Sequence, residues 1–195
     1  MIKKENRHTR IPQSRAVYKI AAFMLGNPLR RFTMNPIKVL SRMGIQRGLN
    51  VLEVGCGPGF FTIPAAKMLE DGNIYALDLS PIMIENVTKR IEKYRIMNVT
   101  TLTCVASETG LDDESIDLVF CIDVLSDITE ISSTLHEMHR ILKPDGILSV
   151  FEPHTGFEPG AWKPERSIKE LTHSSLFCLH ERDNRILKFK KITEV

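Results

Sequence analysis

Residues 51–62 read VLEVGCGPGFFT, a short apolar run followed by three glycines at alternate positions, Gly55, Gly57 and Gly59. The apolar, β-branched run before the glycines predicts a buried strand. Glycines let the backbone adopt angles that other residues avoid, and they let a ligand lie directly against the main chain. A helix is predicted after the loop, and its free N–H groups favour a carboxylate or a phosphate. This stretch therefore predicts a strand, a ligand-binding loop and a helix.

Two acidic residues narrow the choice of ligand. Glu53 lies two residues before the first glycine, where a carboxylate would accept hydrogen bonds from a ligand ammonium and would repel a phosphate. A dinucleotide loop of the GxGxxG type would need a glycine at the position of Phe60. Asp78 closes the next predicted strand, and an acid there can bind both ribose hydroxyls. A ligand with an amino-acid end and a nucleoside end fits both acids, although Asp78 alone would also suit NAD.

Apolar strands and helical segments alternate along the chain around this loop. This alternation, with strands that are apolar throughout, is typical of a parallel sheet with helices on both faces. The sequence predicts an α/β fold, a Rossmann-like, doubly wound, mostly parallel seven-stranded sheet with a C-terminal antiparallel hairpin and an N-terminal helical extension. The predicted strands are 50–54, 74–77, 99–105, 116–121 and 147–151; the helices are 60–69, 81–94, 131–142 and 165–173; the hairpin is 176–192.

Four segments of the chain resemble one enzyme family. They are VLEVGCGPGFFT (51–62), ALDLSPIMI (76–84), LDDESIDLVF (111–120) and HRILKPDGILSVFEP (139–153). In this order they resemble the class I S-adenosylmethionine-dependent methyltransferases, and they are most similar to the small-molecule group that includes the ubiquinone and menaquinone biosynthesis enzymes. The resemblance covers about residues 45–155. It implies S-adenosyl-L-methionine as the cofactor and a small-molecule methyl acceptor.

The family pattern also implies which residues hold the cofactor. Glu53 and the glycine loop would hold the methionine part, Asp78 the ribose and Leu79 the adenine. A segment after the third strand would lie at the adenine edge, and the end of the fourth strand would line the reactive end. The residues implied for cofactor binding are Glu53, Gly55, Cys56, Gly57, Gly59, Asp78, Leu79, Ala106, Ser107 and Cys121.

One position of the implied site departs from the family pattern. In this family an acid often precedes the alanine after the third strand and binds the adenine amino group. Here that position is Val105. The contact is therefore either lost or made by Ser107 or Glu108.

Methyl transfer requires few specialised catalytic side chains. Methyl transfer from a sulfonium is an in-line displacement that depends on proximity and orientation, and a general base is needed only where the acceptor holds its proton tightly. Candidate bases follow the fourth and fifth strands: Asp123, Glu152 and His154, with Asp127 as a further candidate. Structural alternatives are a helix cap for Asp127, an ion pair for Glu152 and simple solvation for His154.

The composition fits an intracellular protein, which we expect to be cytoplasmic. It is 43% hydrophobic and 26% charged, and no apolar run is long enough to span a membrane. Four cysteines are scattered without a CxxC pair or zinc spacing, so free thiols and no metal site are predicted.

The N-terminal part of the chain is strongly basic. Residues 1–31 carry a net charge of +7, the last sixteen residues +2 and the middle −7. We predict residues 1–44 to be a basic arm with lid helices at 14–25 and 36–43, and residues 45–195 to be the methyltransferase domain. Apolar lid residues would come from this arm and from the 153–164 loop: Tyr18, Phe23, Phe32, Met34, Phe157 and Trp162. The arm could instead be a solvated tail, or it could attract nucleic acid, a membrane surface or a phosphorylated substrate.

Three other functions stay open from the sequence. An NAD-dependent oxidoreductase is opposed by Glu53 and Phe60. A non-catalytic S-adenosylmethionine-binding module would have the same fold. An RNA or protein methyltransferase recruited by the basic arm is a third possibility, but the stretch CIDV (121–124) lacks the Asn-Pro-Pro-aromatic tetrad of amino-methylating nucleic-acid enzymes.

Overall fold

The computed structural model describes residues 34–152 and 164–193. The predicted helix at 14–25 lies outside the described residues, as do His154 and all the predicted lid residues except Met34. The described elements, in chain order, are α1 (Pro36–Met43), β1 (Asn50–Val54), α2 (Thr62–Leu69), β2 (Asn73–Leu77), α3 (Pro81–Tyr94), β3 (Val99–Leu102), β4 (Ile116–Ile122), a 3-10 turn (Leu125–Asp127), α4 (Ile131–Ile141), β5 (Leu142–Phe151), α5 (Pro164–His173), β6 (Phe177–Asp183) and β7 (Ile186–Lys191).

The strands form one seven-stranded sheet in the order β3-β2-β1-β4-β5-β7-β6. The first five strands pair in parallel, whereas β7 is antiparallel to both β5 and β6. The predicted Rossmann-like fold with its C-terminal hairpin is therefore confirmed. Parallel strands end at the same edge of a sheet, so Val54, Leu77 and Cys121 lie side by side near the carboxyl edge.

The sheet is covered on both faces, as the apolar strands predict. One buried cluster places Leu135 and Met138 of α4 and Leu171 of α5 against strand residues such as Val119 and Leu148. The other cluster places α1 and α2 on the opposite face, where the side chains of Leu40, Met43 and Leu69 have no exposed surface. Burial of the strands between two helical layers accounts for their unbroken apolar sequence.

Helix α1 shows how local sequence fixes the element boundaries. Oδ1 of Asn35 accepts a hydrogen bond from the N–H of Lys38 at 3.2 Å, and Pro36 occupies the first helical position. Gly44 ends the helix with φ of 102°, in the left-handed region. Met34, just before the cap, packs against the same core as the helix. The second predicted helix is thus present and packed on the sheet, and its role as part of a lid stays a prediction.

Two strand boundaries differ from the prediction by three residues or more. Strand β3 ends at Leu102 instead of 105. Strand β5 begins at Leu142, directly after α4, but its pairing with β4 jumps from Ile116–Leu142 to Leu118–Ile147. Residues 143–146 thus bulge out of the ladder, because Pro144 has no N–H to donate to it.

No helix within the described ranges is long and apolar enough to cross a membrane. The predicted cytoplasmic location stays a prediction.

Candidate active site

The glycine loop lies at the carboxyl edge of the sheet, between β1 and α2. The N–H groups of Gly55 and Cys56 both donate to the carbonyl oxygen of Leu77, at 2.8 and 2.9 Å. These bonds tie the start of the loop to the end of β2. Gly55, Gly57 and Gly59 have φ values of 73°, 52° and 80°, all in the left-handed region that favours glycine. The sequence therefore places a main-chain turn where a ligand can approach closely.

Two of these glycines have different surroundings. A Cβ atom on Gly55 would lie 2.5 Å from Cγ2 of Val124, so close packing excludes a side chain there. A Cβ atom on Gly57 would meet nothing within 4 Å. Gly55 is thus required by the fold, whereas the loop presents bare backbone to open space at Gly57. That open face is where the structure leaves room for a ligand.

Asp78 follows β2 and holds the middle of the loop. Its Oδ2 accepts a hydrogen bond from the N–H of Gly57 at 2.9 Å, and its Oδ1 accepts one from the N–H of Ser80 at 2.8 Å. Burial raises the pKa of Asp78, while these two backbone donors counteract the rise. Each carboxylate oxygen has a second lone pair, so the group retains acceptor capacity for hydroxyls.

Glu53 is a buried acid, with only 3% of its surface exposed. Its Oε2 accepts a hydrogen bond of 2.5 Å from Oγ1 of Thr62, the first residue of α2. Burial raises the pKa of Glu53 to about 8; the bond from Thr62 opposes the rise and the charge of Asp78 adds to it. A cationic ligand group beside this carboxylate would offset the cost of its burial.

Apolar surface flanks the loop on the side predicted for the adenine. Leu79 and Val105 follow the adjacent strands β2 and β3, and both are exposed, at 49% and 43%. Ala106 and Ser107 are half-buried beside them in sequence. Ser107 also lines an open groove of about 800 Å³ that runs along α4. Exposed apolar side chains suit the flat face of a nucleobase, so this side fits the predicted adenine end.

The two cysteines implied for the site are buried. Cys56 is 5% exposed and Cys121 0%, so the side chain of Cys121 is fully enclosed. Burial, together with the nearby acids, raises the pKa of both thiols, so both stay protonated at neutral pH. Cys121 packs in the core beneath the carboxyl edge.

The structure brings together three of the four predicted candidate bases. The N–H of Asp123, which follows β4, donates to the carbonyl oxygen of Phe151 at 2.9 Å. Glu152, next to Phe151, is 1% exposed, and its Oε1 accepts a hydrogen bond from the N–H of Leu125 at 3.1 Å. Asp127 ends the 3-10 turn beside them.

These three acids influence one another. Burial raises the pKa of Glu152 to about 7, and the neighbouring Asp123 and Asp127 add to the rise. Burial also raises the pKa of Asp127, and Asp123 contributes. The structural alternative for Glu152 was an ion pair with a basic residue. Within the described residues, Glu152 forms no such ion pair. A carboxylate with a pKa near neutrality is suited to accept a proton.

Within residues 34–152 and 164–193, no cluster of three or more His, Cys, Asp or Glu residues could hold a metal ion.

Two residues of the site carried no prediction from the sequence. Val124 packs on Gly55, and Thr62 bonds to Glu53. The hydroxyl at the start of α2 was a visible signal for Thr62, whereas the Val124 contact depends on the order of the strands.

A sheet of this order, with such a loop at its carboxyl edge, defines a Rossmann-like cofactor-binding domain. Residues 45–190 match the protein family described as a methyltransferase domain, and the chain therefore belongs to this family. Membership agrees with S-adenosylmethionine as the cofactor predicted from the sequence. It also agrees with the fit of the open loop, the two acids and the apolar flank to that molecule.

The chain has relatives among curated proteins and solved structures. It is 31% identical over 115 residues to a demethylmenaquinone methyltransferase of Geobacillus stearothermophilus, covering 58% of this chain and 49% of that protein. The chain spans about half the length of the curated relatives it matches. A SAM-dependent methyltransferase from Aquifex aeolicus superposes with a TM-score of 0.81 at 22% identity, covering 89% of this chain and 98% of that one.

The same architecture occurs in a protein with another description. The [4+2]-cyclase SpnF superposes with a TM-score of 0.65 at 21% identity, covering 75% of this chain and 57% of that one. These structural likenesses define the fold, and the fold by itself does not fix a reaction. The reaction depends on the side chains at the carboxyl edge.

Proposed function

We propose that the chain transfers the methyl group of S-adenosylmethionine to a small-molecule acceptor. The observation that carries the proposal is the open backbone at Gly57, whose N–H donates to the carboxylate of Asp78, in the loop that follows the buried acid Glu53. An ammonium and a ribose are the ligand groups that suit these acids, and S-adenosylmethionine carries both. A dinucleotide pyrophosphate would place negative charge beside them, which disfavours NAD.

Each residue of the proposed site contacts one part of the cofactor. Glu53 binds the ammonium, Asp78 binds the ribose hydroxyls, and the loop backbone from Gly55 to Gly59 lies against the methionine part. Leu79 and the Ala106–Ser107 segment flank the adenine. Bound S-adenosylmethionine supplies a methyl group already activated on a sulfonium, so the protein mainly has to orient the acceptor.

Asp123 and Glu152 are the residues that we propose to act on the acceptor. They follow β4, which lies next to β1 in the sheet, and β5, which lies next to β4. When the nucleophile of the acceptor bonds to the methyl carbon, the methyl–sulfur bond would break and S-adenosylhomocysteine would be released. The proton of the acceptor must also leave, and one of these carboxylates would take it. Glu152 is the stronger candidate because its raised pKa matches this task near neutral pH. His154 stays a candidate outside the described residues.

The curated relatives suggest a first acceptor to test. They are demethylmenaquinone methyltransferases, so a demethylated naphthoquinol is a reasonable probe. Two partly exposed apolar residues at the carboxyl edge, Ile122 and Phe151, are consistent with an acceptor that has an apolar body. We further propose that residues 1–44 form the basic arm and lid of the domain formed by 45–195.

The test begins with binding. The full chain is titrated calorimetrically with S-adenosylmethionine, S-adenosylhomocysteine and NAD; binding of the first two and none of NAD is expected. Tight NAD binding without S-adenosylmethionine binding would overturn the proposal.

Methyl transfer is then followed from methyl-labelled cofactor to the naphthoquinol probe and to a small-metabolite extract. Glu152→Gln should lower kcat by about 100-fold at unchanged cofactor affinity, and Glu181→Gln, on the exposed hairpin, serves as the control. Binding without transfer to any metabolite would favour a non-catalytic module. Transfer to RNA or protein that is lost on deleting residues 1–31 would favour recruitment by the basic arm.

A further inference from the structure

We propose that Thr62 is a positioning residue that fixes the carboxylate of Glu53 in the orientation that binds the ammonium group of the cofactor. This inference rests on the proposed function, because it assigns a role within the same cofactor site. It concerns a residue of α2 that the sequence motif alone did not single out.

The bond between the two residues joins the two sides of the glycine loop. Glu53 is the only charged residue of β1, and Thr62 begins α2 nine residues later. Both are buried, at 3% and 0% exposure, and Oγ1 of Thr62 lies 2.5 Å from Oε2 of Glu53. The loop that would contact the ligand is therefore closed at its base by one hydrogen bond between buried side chains.

Helix capping does not explain the hydroxyl of Thr62. The N-cap of α2 is Phe61, and no side chain caps this helix end. Thr62 has no exposed surface, and its neighbours in sequence, Phe61 and Ile63, belong to the hydrophobic core. Among the described residues, the hydrogen bond that this hydroxyl donates goes to Glu53. Threonine is also stiff at χ1, so the donor is held in place.

This single bond leaves the other half of the carboxylate available. Oε1 of Glu53 accepts no hydrogen bond within the described part of the chain. Because a carboxylate is planar and rigid, holding Oε2 also sets the direction of Oε1. An acceptor oxygen with a fixed direction suits a donor such as an ammonium.

The charges around Glu53 also favour a cation supplied by the ligand. The charged side chain that acts on it among the described residues is Asp78, which is itself acidic, and the Cys56 thiol nearby is held neutral by burial. The donated bond from Thr62 stabilises the ionised form of Glu53 against burial. Thr62 therefore both orients the carboxylate and favours the form that can bind an ammonium.

The experiment compares two ligands that differ in the amino-acid end. S-Adenosylhomocysteine carries the ammonium, and 5′-methylthioadenosine lacks it but keeps the nucleoside. The affinity of each is measured calorimetrically between pH 6 and pH 9 for the wild type, Thr62→Val and Thr62→Ser. Thr134→Val, a buried threonine of α4, is the matched control. A double variant, Glu53→Gln with Thr62→Val, tests whether both residues act through one contact.

We expect Thr62→Val to weaken S-adenosylhomocysteine binding about tenfold or more, since it removes a hydrogen bond to a charged group. Binding of 5′-methylthioadenosine should change less than about twofold, and the pH at which S-adenosylhomocysteine binding reaches half its maximum should rise. Thr62→Ser should retain binding, and the Thr62→Val change should add nothing in the Glu53→Gln background.

Three results would overturn the positioning role while leaving the proposed function intact. The first is unchanged S-adenosylhomocysteine affinity in Thr62→Val. The second is an equal loss of affinity for S-adenosylhomocysteine and 5′-methylthioadenosine in that variant. The third is an unchanged pH of half-maximal S-adenosylhomocysteine binding in that variant. If Thr62→Val does not fold, Thr62→Ser is the deciding variant. Loss of S-adenosylhomocysteine binding, or of its pH dependence, in Thr62→Ser would overturn the positioning role. A wild-type chain that binds neither S-adenosylmethionine nor S-adenosylhomocysteine would overturn the proposed function, and this inference with it.

Discussion

The N–H of Gly57 donates a hydrogen bond of 2.9 Å to Oδ2 of Asp78, which stands 21 residues further along the chain. The bond joins the middle of the glycine loop to the end of β2. Because Oδ1 of Asp78 is held at the same time by the N–H of Ser80, the carboxylate fixes both segments relative to each other. Asp78 thus shapes the loop before any ligand arrives, in addition to its proposed contact with the ribose.

Asp78→Asn should weaken both the loop and the cofactor site. An amide has only one acceptor oxygen, so one of the two backbone N–H groups loses its partner, at a cost of about 1–3 kcal/mol in the free energy of unfolding. The affinity for S-adenosylmethionine should fall by more than about tenfold. Urea unfolding and calorimetric titration measure the two effects. Asp112→Asn, an exposed aspartate before β4, should change neither; wild-type affinity in Asp78→Asn would contradict the assignment.

Alanine at Gly55 and alanine at Gly57 should have different effects, although both glycines have positive φ. The clash of a new Cβ with Val124 should make Gly55→Ala the more destabilising change, by roughly 2–4 kcal/mol in total. The Cβ of Gly57→Ala would contact no atom. This variant should be less destabilising, with a total cost of about 1–2 kcal/mol from backbone strain. Nevertheless it should greatly reduce S-adenosylmethionine binding, because the methyl group occupies the ligand's side of the loop.

Urea unfolding and calorimetry separate these effects on stability and on binding. Val124→Ala should recover part of the stability lost in Gly55→Ala and should have no such benefit with Gly57→Ala. Equal stability losses for the two alanine variants would show that packing against Val124 does not distinguish the glycines.

Local sequence was enough to predict much of this site. Strand β1, the glycine loop, Glu53 and Asp78 are each marked by residue type and spacing, and all lie where the alternation of strands and helices places them. The contact between Gly55 and Val124 could not be predicted in this way, since it depends on which strand lies next to β1. The start of β5 was missed for a related reason. Lys143–Gly146 is typical of a turn, but pairing with β4 continues on both sides of it.

The stability of the protein should fall as the pH rises from 5 to 8 through the ionisation of Glu53 and Glu152. Their pKa values are raised to about 8 and about 7, above the ordinary value near 4.5. The folded chain thus holds more protons than the unfolded chain in this range, and the free energy of unfolding decreases with pH. Glu152→Gln should reduce that decrease by on the order of 2 kcal/mol. Urea unfolding at pH 5 and pH 8 measures it, with Glu92→Gln as an exposed control; an unchanged slope would contradict the burial effect.

The stabilisation that Glu137 contributes should be lost as the pH falls, in contrast to the loss at rising pH expected for Glu53 and Glu152. Its Oε1 accepts hydrogen bonds from the N–H and the hydroxyl of Thr109, at 2.9 and 2.6 Å, and its Oε2 accepts one from Nε of Arg140 at 2.8 Å. These donors, the Arg140 bond above all, lower the pKa of Glu137 to about 2. Its contribution is therefore complete above about pH 4.5 and is lost as the pH falls from there towards 2.

Glu137→Gln tests this contribution through the difference in unfolding free energy between variant and wild type. The difference should be constant from pH 8 to about 5 and should shrink between pH 4.5 and 3, the range in which only the wild type gains a proton on unfolding. The bonds of Glu137 tie the loop after β3 to α4, so the variant should also loosen the Ala106–Ser107 segment and weaken S-adenosylmethionine binding. Hydrogen exchange of the Thr109 amide reports that loosening directly. A difference that stays the same down to pH 3, with unchanged Thr109 exchange, would show that Glu137 does not hold this loop.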